Sequence, residues 1–492
     1  MKVNNQKLVS YSTIPRFIEH FTRKMKIKKA SLFFGAGISK DSGFPCWDEV
    51  LKPYSESLNL NWQFEKNDLP LIAQFAYDSE PMHFNDNTQR IFSKPSKENK
   101  IIDSFISLPV DNIWTTNFET SIENSCERKI REKTLKSYHV FGLDEDNTTL
   151  NTFEKNIYKI NGTIANNASN YIFVKEDFYR HRNKQNKYLS LLQKKLQENS
   201  FLFYGYSFSD DIVLNEISKL KYQLEIPTDK LPIHYRFVAA KNIESNEEIS
   251  HINYYSEYLN KYYNIKTIII PSYDVMPNIL SNLLKLFYID NIYISGAISN
   301  FDQLSEKTVQ EFTSTLSKKL IANNYKIYSG YGRGVGSALL KGAIDHVSLD
   351  FYDRLSEVIS LNPFPYEFQD FSDKDKNQYR YFIQKQCGVS IFIFGNKIEK
   401  EGYLTGMIEE LKIASNLNHF VIPIPQTGFT SKFLYDKIFQ QDTEFANIPF
   451  QHMASFKTNN NLSENTDEII DDLIMVLQKI RRNLINFSFD EI

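Results

Sequence analysis

The 492-residue sequence predicts an α/β protein of two parallel-sheet domains, residues 1–286 and 287–492. Three observations carry that expectation. The chain is too long for one ordinary core. Short apolar runs alternate with helical patterns, which is how a parallel sheet covered on both faces reads in sequence. The pattern also restarts near residue 290, where a second apolar run leads toward a second glycine-rich turn.

Residues 12–29 read as a helix entering a short apolar strand at 30–34, which ends in Gly35-Ala36-Gly37-Ile38-Ser39. Further strand-like runs lie at 112–115, 156–160, 201–203, 235–239 and 266–270. Helical patterns at 63–77, 118–132 and 184–198 separate some of them. Residues 241–262 are rich in Asn, Glu and Tyr and fit either a helix or a loop. A helix at 276–287 is the expected connector. The second half offers strands at 291–295, 325–329, 358–361, 389–394 and 420–423, with helices at 302–323 and 338–345. An Asn-rich loop at 458–464 precedes a last helix near 465–485.

Composition narrows the function classes. An apolar fraction of 41% supplies proper cores, and a net charge of −3 gives no basic field for nucleic acid. The 14% aromatic content reads as core and interface filling. Cys46, Cys126 and Cys387 are far apart and odd in number, which argues against disulfides and zinc and suits a reducing cytoplasm. Residues 1–29 are polar and lack a secretory pattern, and no run of 18 apolar residues appears, so no membrane partner is expected.

Small residues after a strand let a backbone approach a diphosphate, and the amides that follow can donate to anionic oxygens. Gly35-Ala36-Gly37 alone is equally readable as a tight turn. Two further segments add weight: Thr115-Thr116-Asn117-Phe118-Glu119 after one strand, and Gly205-Tyr206-Ser207-Phe208-Ser209-Asp210 after another. Polar residues beyond the C-terminal ends of parallel strands gather in one crevice. These segments, with Ser42-Gly43-Phe44-Pro45-Cys46-Trp47, resemble the sirtuin-like family, particularly the NAD-consuming domains of bacterial antiphage proteins, over about 250 residues. The resemblance implies a Rossmann-like fold with NAD as substrate. It places Gly35, Ala36, Gly37, Ser39, Thr116, Asn117, Gly205, Ser207 and Asp210 at the dinucleotide, with Asn117 beside the nicotinamide ribose.

One position departs from the family. Its next strand ends in a His-Gly pair whose histidine is the general base, whereas this chain reads Tyr158-Lys159-Ile160-Asn161-Gly162. An amide accepts no proton near neutrality, and losing a general base typically costs a factor of about 100 to 10,000. Asn161 leaves two readings open. It is a disabling change in a competent site, or the natural residue of a protein that works through Asn117 and bound water or only binds NAD. Glu119 and His139 are the candidate substitute bases, and His139 sits in an apolar stretch, 137–142, where a structural role is the simpler reading. Sirtuin deacylases carry a four-cysteine zinc module that three cysteines cannot build, so hydrolysis of the nicotinamide–ribose bond is the better expectation.

The second glycine-rich turn, Gly330-Tyr331-Gly332-Arg333-Gly334-Val335-Gly336, follows a strand and opens a helix, the arrangement of an anion site. It lacks the Gly-Lys-Ser/Thr ending of a P-loop. With Ser295-Gly296-Ala297, Gln378-Tyr379-Arg380 and the run 389–397, this half resembles the SLOG family of Rossmann-like nucleotide-binding domains. The order of sirtuin-like and SLOG domains is that of Thoeris antiphage effectors, so the resemblance covers nearly the whole chain. It implies a sensor of a cyclic ADP-ribose isomer made by a TIR-domain partner, a homotetrameric assembly, and an NAD+ glycohydrolase of antiphage defence without a metal. Ser295, Gly296, Gly332, Arg380, Lys397 and Glu410 fall at the expected activator positions. Arg380 and Lys397 suit a diphosphate and Glu410 a ribose hydroxyl. Each taken singly also reads as an ordinary surface or helix-face charge. The Pro-Gly-Gly-x-Gly-Thr-x-x-Glu motif of enzymatic relatives is absent, which favours sensing in this half. The rival expectation is a catalytically silent NAD-binding sensor or scaffold, with Asn161 as its main support.

Overall fold

The computed structural model describes residues 7–62, 68–143, 153–164, 171–243, 245–301, 304–347, 353–364, 372–396, 405–440 and 462–486, with backbone only at 182–185 and 242. The chain divides into two compact units, one running to Leu284 and the other starting at Lys285.

Seven strands of the first unit, β1 (Ala30–Phe34), β2 (Asn112–Thr115), β3 (Tyr138–Phe141), β4 (Lys155–Lys159), β5 (Ser200–Tyr204), β6 (His234–Ala239) and β7 (Ile265–Ile270), form one sheet in the order β3-β4-β2-β1-β5-β6-β7. Every pairing is parallel. All five residues of both β1 and β5 are buried, as expected of strands covered on both faces. The helix Ile14–Lys26 is capped by Thr13, whose hydroxyl accepts from the Arg16 amide. It covers β6 through Phe17, which meets Tyr235 and Phe237 edge-on at 4.9 and 5.1 Å. Each such fully buried side chain contributes roughly 1.5–3 kcal/mol.

Between β1 and β2 the chain builds a helical module from Trp47–Ser57, Leu69–Ser79, Pro81–Phe92 and Lys100–Ser107. The module has its own apolar cluster, including Leu51, Ile72, Phe84, Phe92 and Phe173, separate from the cluster under the sheet. Phe118 belongs to the module's cluster, so the loop after β2 is anchored there.

In the second unit, β8 (Asn291–Ser295), β9 (Lys326–Ser329), β10 (Ile359–Leu361), β11 (Val389–Phe392) and β12 (Phe420–Pro423) pair in parallel in the order β10-β9-β8-β11-β12. The helices Glu306–Ala322, Gly336–Val347, Asp373–Gln384, Thr405–Asn416, Phe429–Phe439 and Thr466–Ile485 accompany them.

The structure goes beyond the sequence reading in the helices of the module between β1 and β2 and in several places elsewhere. β3 has no counterpart among the sequence-predicted strands. The ambiguous segment 241–262 is the helix Asn246–Tyr263, started by a reciprocal cap in which Ser245 and Glu248 bond each other's amides. The helix expected from 118 begins at Ser121, after an irregular stretch at 117–120 whose Glu119 carboxylate accepts the Ser121 amide at 2.6 Å. Most of the Asn-rich segment 458–464 lies outside the described residues.

Candidate functional sites at two strand-end crevices

In the first unit the chain crosses from one side of β1 to the other, with β2 and β5 as its neighbours, and a parallel sheet opens a ligand crevice at such a point. The loops after β1 and β5 touch backbone to backbone. The Gly35 amide donates to the Tyr204 carbonyl at 3.1 Å and the Gly37 amide to the Gly205 carbonyl at 2.9 Å. A Cβ on Gly35 would lie 2.5 Å from the Gly205 carbonyl oxygen, and one on Gly205 would lie 2.4 Å from the Ile38 nitrogen. Gly205 also has φ +66°. The sequence reads these glycines as clearing a path for a diphosphate. In the structure their first task is to let two loops meet, and two of the amides are engaged by the third segment.

The loop after β2 delivers Asn117, which is 6% exposed. Its Nδ2 donates to the Gly35 carbonyl and to Ser39 Oγ, both at 3.0 Å. With both amide protons committed, Oδ1 is left as the acceptor of this side chain. Ser39 Oγ in turn donates to Glu119, whose carboxylate also takes the Ser121 hydroxyl at 2.9 Å. The sequence reading brings Ser39, Thr116 and Asn117 to one place and offers Glu119 as a candidate base; the structure links Glu119 to Ser39 and adds Ser121 as the far end of a continuous chain of hydrogen bonds.

Asn161 follows β4, is 4% exposed, and accepts the Ile172 amide on its backbone carbonyl at 2.8 Å. Its loop is laced to the Asn117 loop: the Ile160 amide donates to the Thr115 carbonyl and the Ile164 amide to the Phe118 carbonyl, both at 2.9 Å. Positions 117 and 161 therefore stand on adjoining loops. Lys159, unremarked in sequence, ends β4 with no exposed side-chain surface and forms an ion pair with Glu123. Burial pushes the Glu123 carboxyl above its ordinary range, against the pull of Lys159. Of the remaining candidates, Ser207 is exposed with its hydroxyl 2.8 Å from that of Ser209. Asp210 accepts the Tyr206 hydroxyl and the Ile212 amide. His139 is ruled out as a neighbour of the crevice. It pairs with Asn156, near the N-terminal end of β4, and stacks on Phe153 at 5.0 Å.

The second crevice repeats the plan. The crossing point is β8, between β9 and β11. A Cβ on Gly332 would lie 2.0 Å from the Gly296 carbonyl oxygen, so the glycine-rich turn rests on the loop after β8. Ser295 Oγ donates to Glu410 at 2.5 Å, and the Tyr293 hydroxyl also bonds this carboxylate. Arg380 Nε lies 3.5 Å from Glu410 Oε1, Nη1 donates to Asn377 at 2.7 Å, and the guanidinium sits 5.2 Å over the Phe364 ring. Burial raises the Glu410 carboxyl above its ordinary range while Ser295, Arg380 and Tyr293 oppose that. Ser295, Gly296, Gly332, Arg380 and Glu410 are thus brought together, and Lys397 lies outside the described residues. Tyr293 and Asn377 are additional members that sequence spacing did not single out, and Phe364 lends its ring to Arg380.

Among the described residues no cluster of three or more His, Cys, Asp or Glu is placed to hold a metal ion, and no helix is long and apolar enough to cross a membrane.

Fold and sites define a class: an α/β protein of two parallel-sheet units, each with glycine-bearing loops meeting where the strand order reverses, the place at which such sheets bind ligands. Comparison with known proteins makes the class specific. The SIR2-like domain family matches residues 111–268, and the Sir2- and TIR-associating SLOG family matches residues 275–480. The chain is 26% identical over 471 residues to the NAD(+) hydrolase ThsA of Bacillus cereus strain MSX-D12, covering 93% of this chain and 96% of that protein. It is 28% identical over 515 aligned positions to the NAD(+) hydrolase ThsA of Cytobacillus dafuensis, covering 98% and 99%. Over 291 residues it is 23% identical to Defense-associated sirtuin 2 of Bacillus subtilis, which covers 55% of this chain and 28% of that protein. The chain thus carries a SIR2-like domain followed by a SLOG domain, and over nearly its whole length it is similar to the ThsA NAD(+) hydrolases.

Proposed function

We propose that this protein is an NAD+ hydrolase of antiphage defence, which cleaves NAD+ to nicotinamide and ADP-ribose in the first crevice. The observation that carries the reading is the Asn117 side chain, buried and oriented by Gly35 and Ser39 at the strand-end crevice, in a chain whose relatives along their whole length are named NAD(+) hydrolases. Asn117 Oδ1 would hold the ribose or the attacking water. Departure of nicotinamide builds positive charge on the ribose, and the Ser39–Glu119 carboxylate network supplies a negative counterpart close to Asn117.

The second crevice would bind a cyclic ADP-ribose isomer, made by a TIR-domain partner, and gate the first. Arg380 supports this. It is held by Glu410 and Asn377 over Phe364, so a diphosphate that draws it away would exchange one arrangement for another. Such gating requires the ligand to bind one state more tightly than the other. The active assembly would be a cytoplasmic homotetramer.

Asn161 favours a second reading, a catalytically silent NAD-binding sensor or scaffold. Measuring NAD+ consumption with and without cyclic ADP-ribose isomers, for this chain and for Asn161→His, separates the two. Ligand-dependent loss of NAD+ in either form supports the hydrolase. Binding of NAD+ without cleavage in both forms sinks it in favour of the sensor.

A further inference from the structure

We propose that Lys159 is a positioning residue for NAD+ cleavage, an inference that rests on the hydrolase reading of the first crevice. Its side chain has no exposed surface, and burying an ammonium is unfavourable unless its protons are matched. They are matched here by partners on three different pieces of chain. Nζ donates to the Glu119 carbonyl at 2.6 Å, on the loop that carries Asn117. It pairs with the Glu123 carboxylate, on the helix Ser121–Arg131. Its remaining contacts, at 3.5 Å each, are the Phe118 carbonyl and Thr163 Oγ1, the latter on the loop that carries Asn161.

One ammonium therefore ties the Asn117–Glu119 loop to the Asn161 loop from beneath. The tie continues into the crevice, because the Glu119 carboxylate takes the Ser39 hydroxyl and Ser39 Oγ takes the Asn117 amide. An apolar side chain would fill the same space with a smaller desolvation penalty, but it would leave the Glu119 carbonyl unheld. A displacement of about 1 Å in a positioning group is enough to slow a reaction on the order of 100-fold.

Removing Lys159 alone would strand a buried Glu123 and risk unfolding. The test therefore removes both charges, Lys159→Met with Glu123→Gln, in the full-length chain, in whichever of the parent and Asn161→His forms turns over NAD+ faster. The expected result is a kcat lowered by about 10- to 100-fold, with KM for NAD+ and the unfolding midpoint unchanged. An unchanged kcat, or a fall that merely tracks a lowered midpoint, overturns the proposal and leaves Lys159 as a structural ion-pair member. If neither form consumes NAD+, the hydrolase reading fails by itself. Hydrogen exchange at the Ser121, Ile160 and Ile164 amides then decides the tie. Faster exchange in the double variant at an unchanged midpoint upholds it, and unchanged exchange overturns it.

Discussion

Replacing Gly205 by alanine tests whether the first crevice is built by the approach of two loops. The new Cβ would lie 2.4 Å from the Ile38 nitrogen and 2.8 Å from the Gly37 carbonyl carbon, both backbone atoms. No side-chain rotation relieves such a contact, so the loops must separate. Overpacking of this kind costs about 1–3 kcal/mol. Holding a residue with a side chain at φ +66° adds about 1 kcal/mol. The sum is about 2–4 kcal/mol, all of it in the first unit. The assay is urea unfolding followed by tryptophan fluorescence, because Trp47, Trp62 and Trp114 are the only tryptophans in the sequence and all precede Leu284. Gly142→Ala is the control: among the described residues its Cβ would meet only Thr163 Cγ2, at 3.8 Å, and it should be neutral or slightly stabilising. An unchanged Gly205→Ala midpoint, or equal effects of the two substitutions, would refute the loop-contact argument.

Two further outcomes follow from buried ionisable groups. Burial, helped by nearby His20, lowers His234 to about 3, and its Nδ1 accepts the Phe201 amide at 3.1 Å. The folded pKa is below the unfolded value near 6.5, so this contribution to stability is complete above pH 6.5 and is lost as pH falls toward 3. Between pH 7 and pH 5 the loss is about 2 kcal/mol, and His234→Gln should flatten that part of the tryptophan-detected stability profile. In the second unit, Arg380→Met leaves the Glu410 carboxylate buried without its cation and should destabilise by about 3–5 kcal/mol, while adding Glu410→Gln should recover most of it. Hydrogen exchange across residues 389–396 reads both variants, and an equal loss in each would contradict the pairing.

The parts of the fold legible in sequence were those written in local chemistry. Five-residue runs such as Ala30–Phe34 and Ser200–Tyr204, buried on both faces, stand out as apolar blocks, and the small residues after them mark strand ends. β3 escaped because Tyr138-His139-Val140-Phe141 is a half-buried edge strand whose pattern resembles a loop as much as a strand. The helix Asn246–Tyr263 was ambiguous because its buried residues are only Ser256, Leu259 and Tyr263, and the sign of its start was the Ser245–Glu248 cap. In the crevices, Asn117 and Gly205 could be read from motifs. Lys159 and Glu123 could not, since nothing in the order of residues says that an ammonium on β4 will meet a carbonyl 40 positions earlier. Likewise Phe364 joins Arg380 only because the loop after β10 and the helix Asp373–Gln384 meet in the folded unit.

In the proposed reaction NAD+ is cleaved where Asn117 stands. The direct measurement is the rate of nicotinamide release from NAD+ before and after Asn117→Ala, in the more active of the parent and Asn161→His forms and in the presence of the activating ligand. The expected result is a fall of about 100- to 1,000-fold, beyond what any drop in the unfolding midpoint explains. A rate unaffected by the substitution would place the chemistry elsewhere and contradict it.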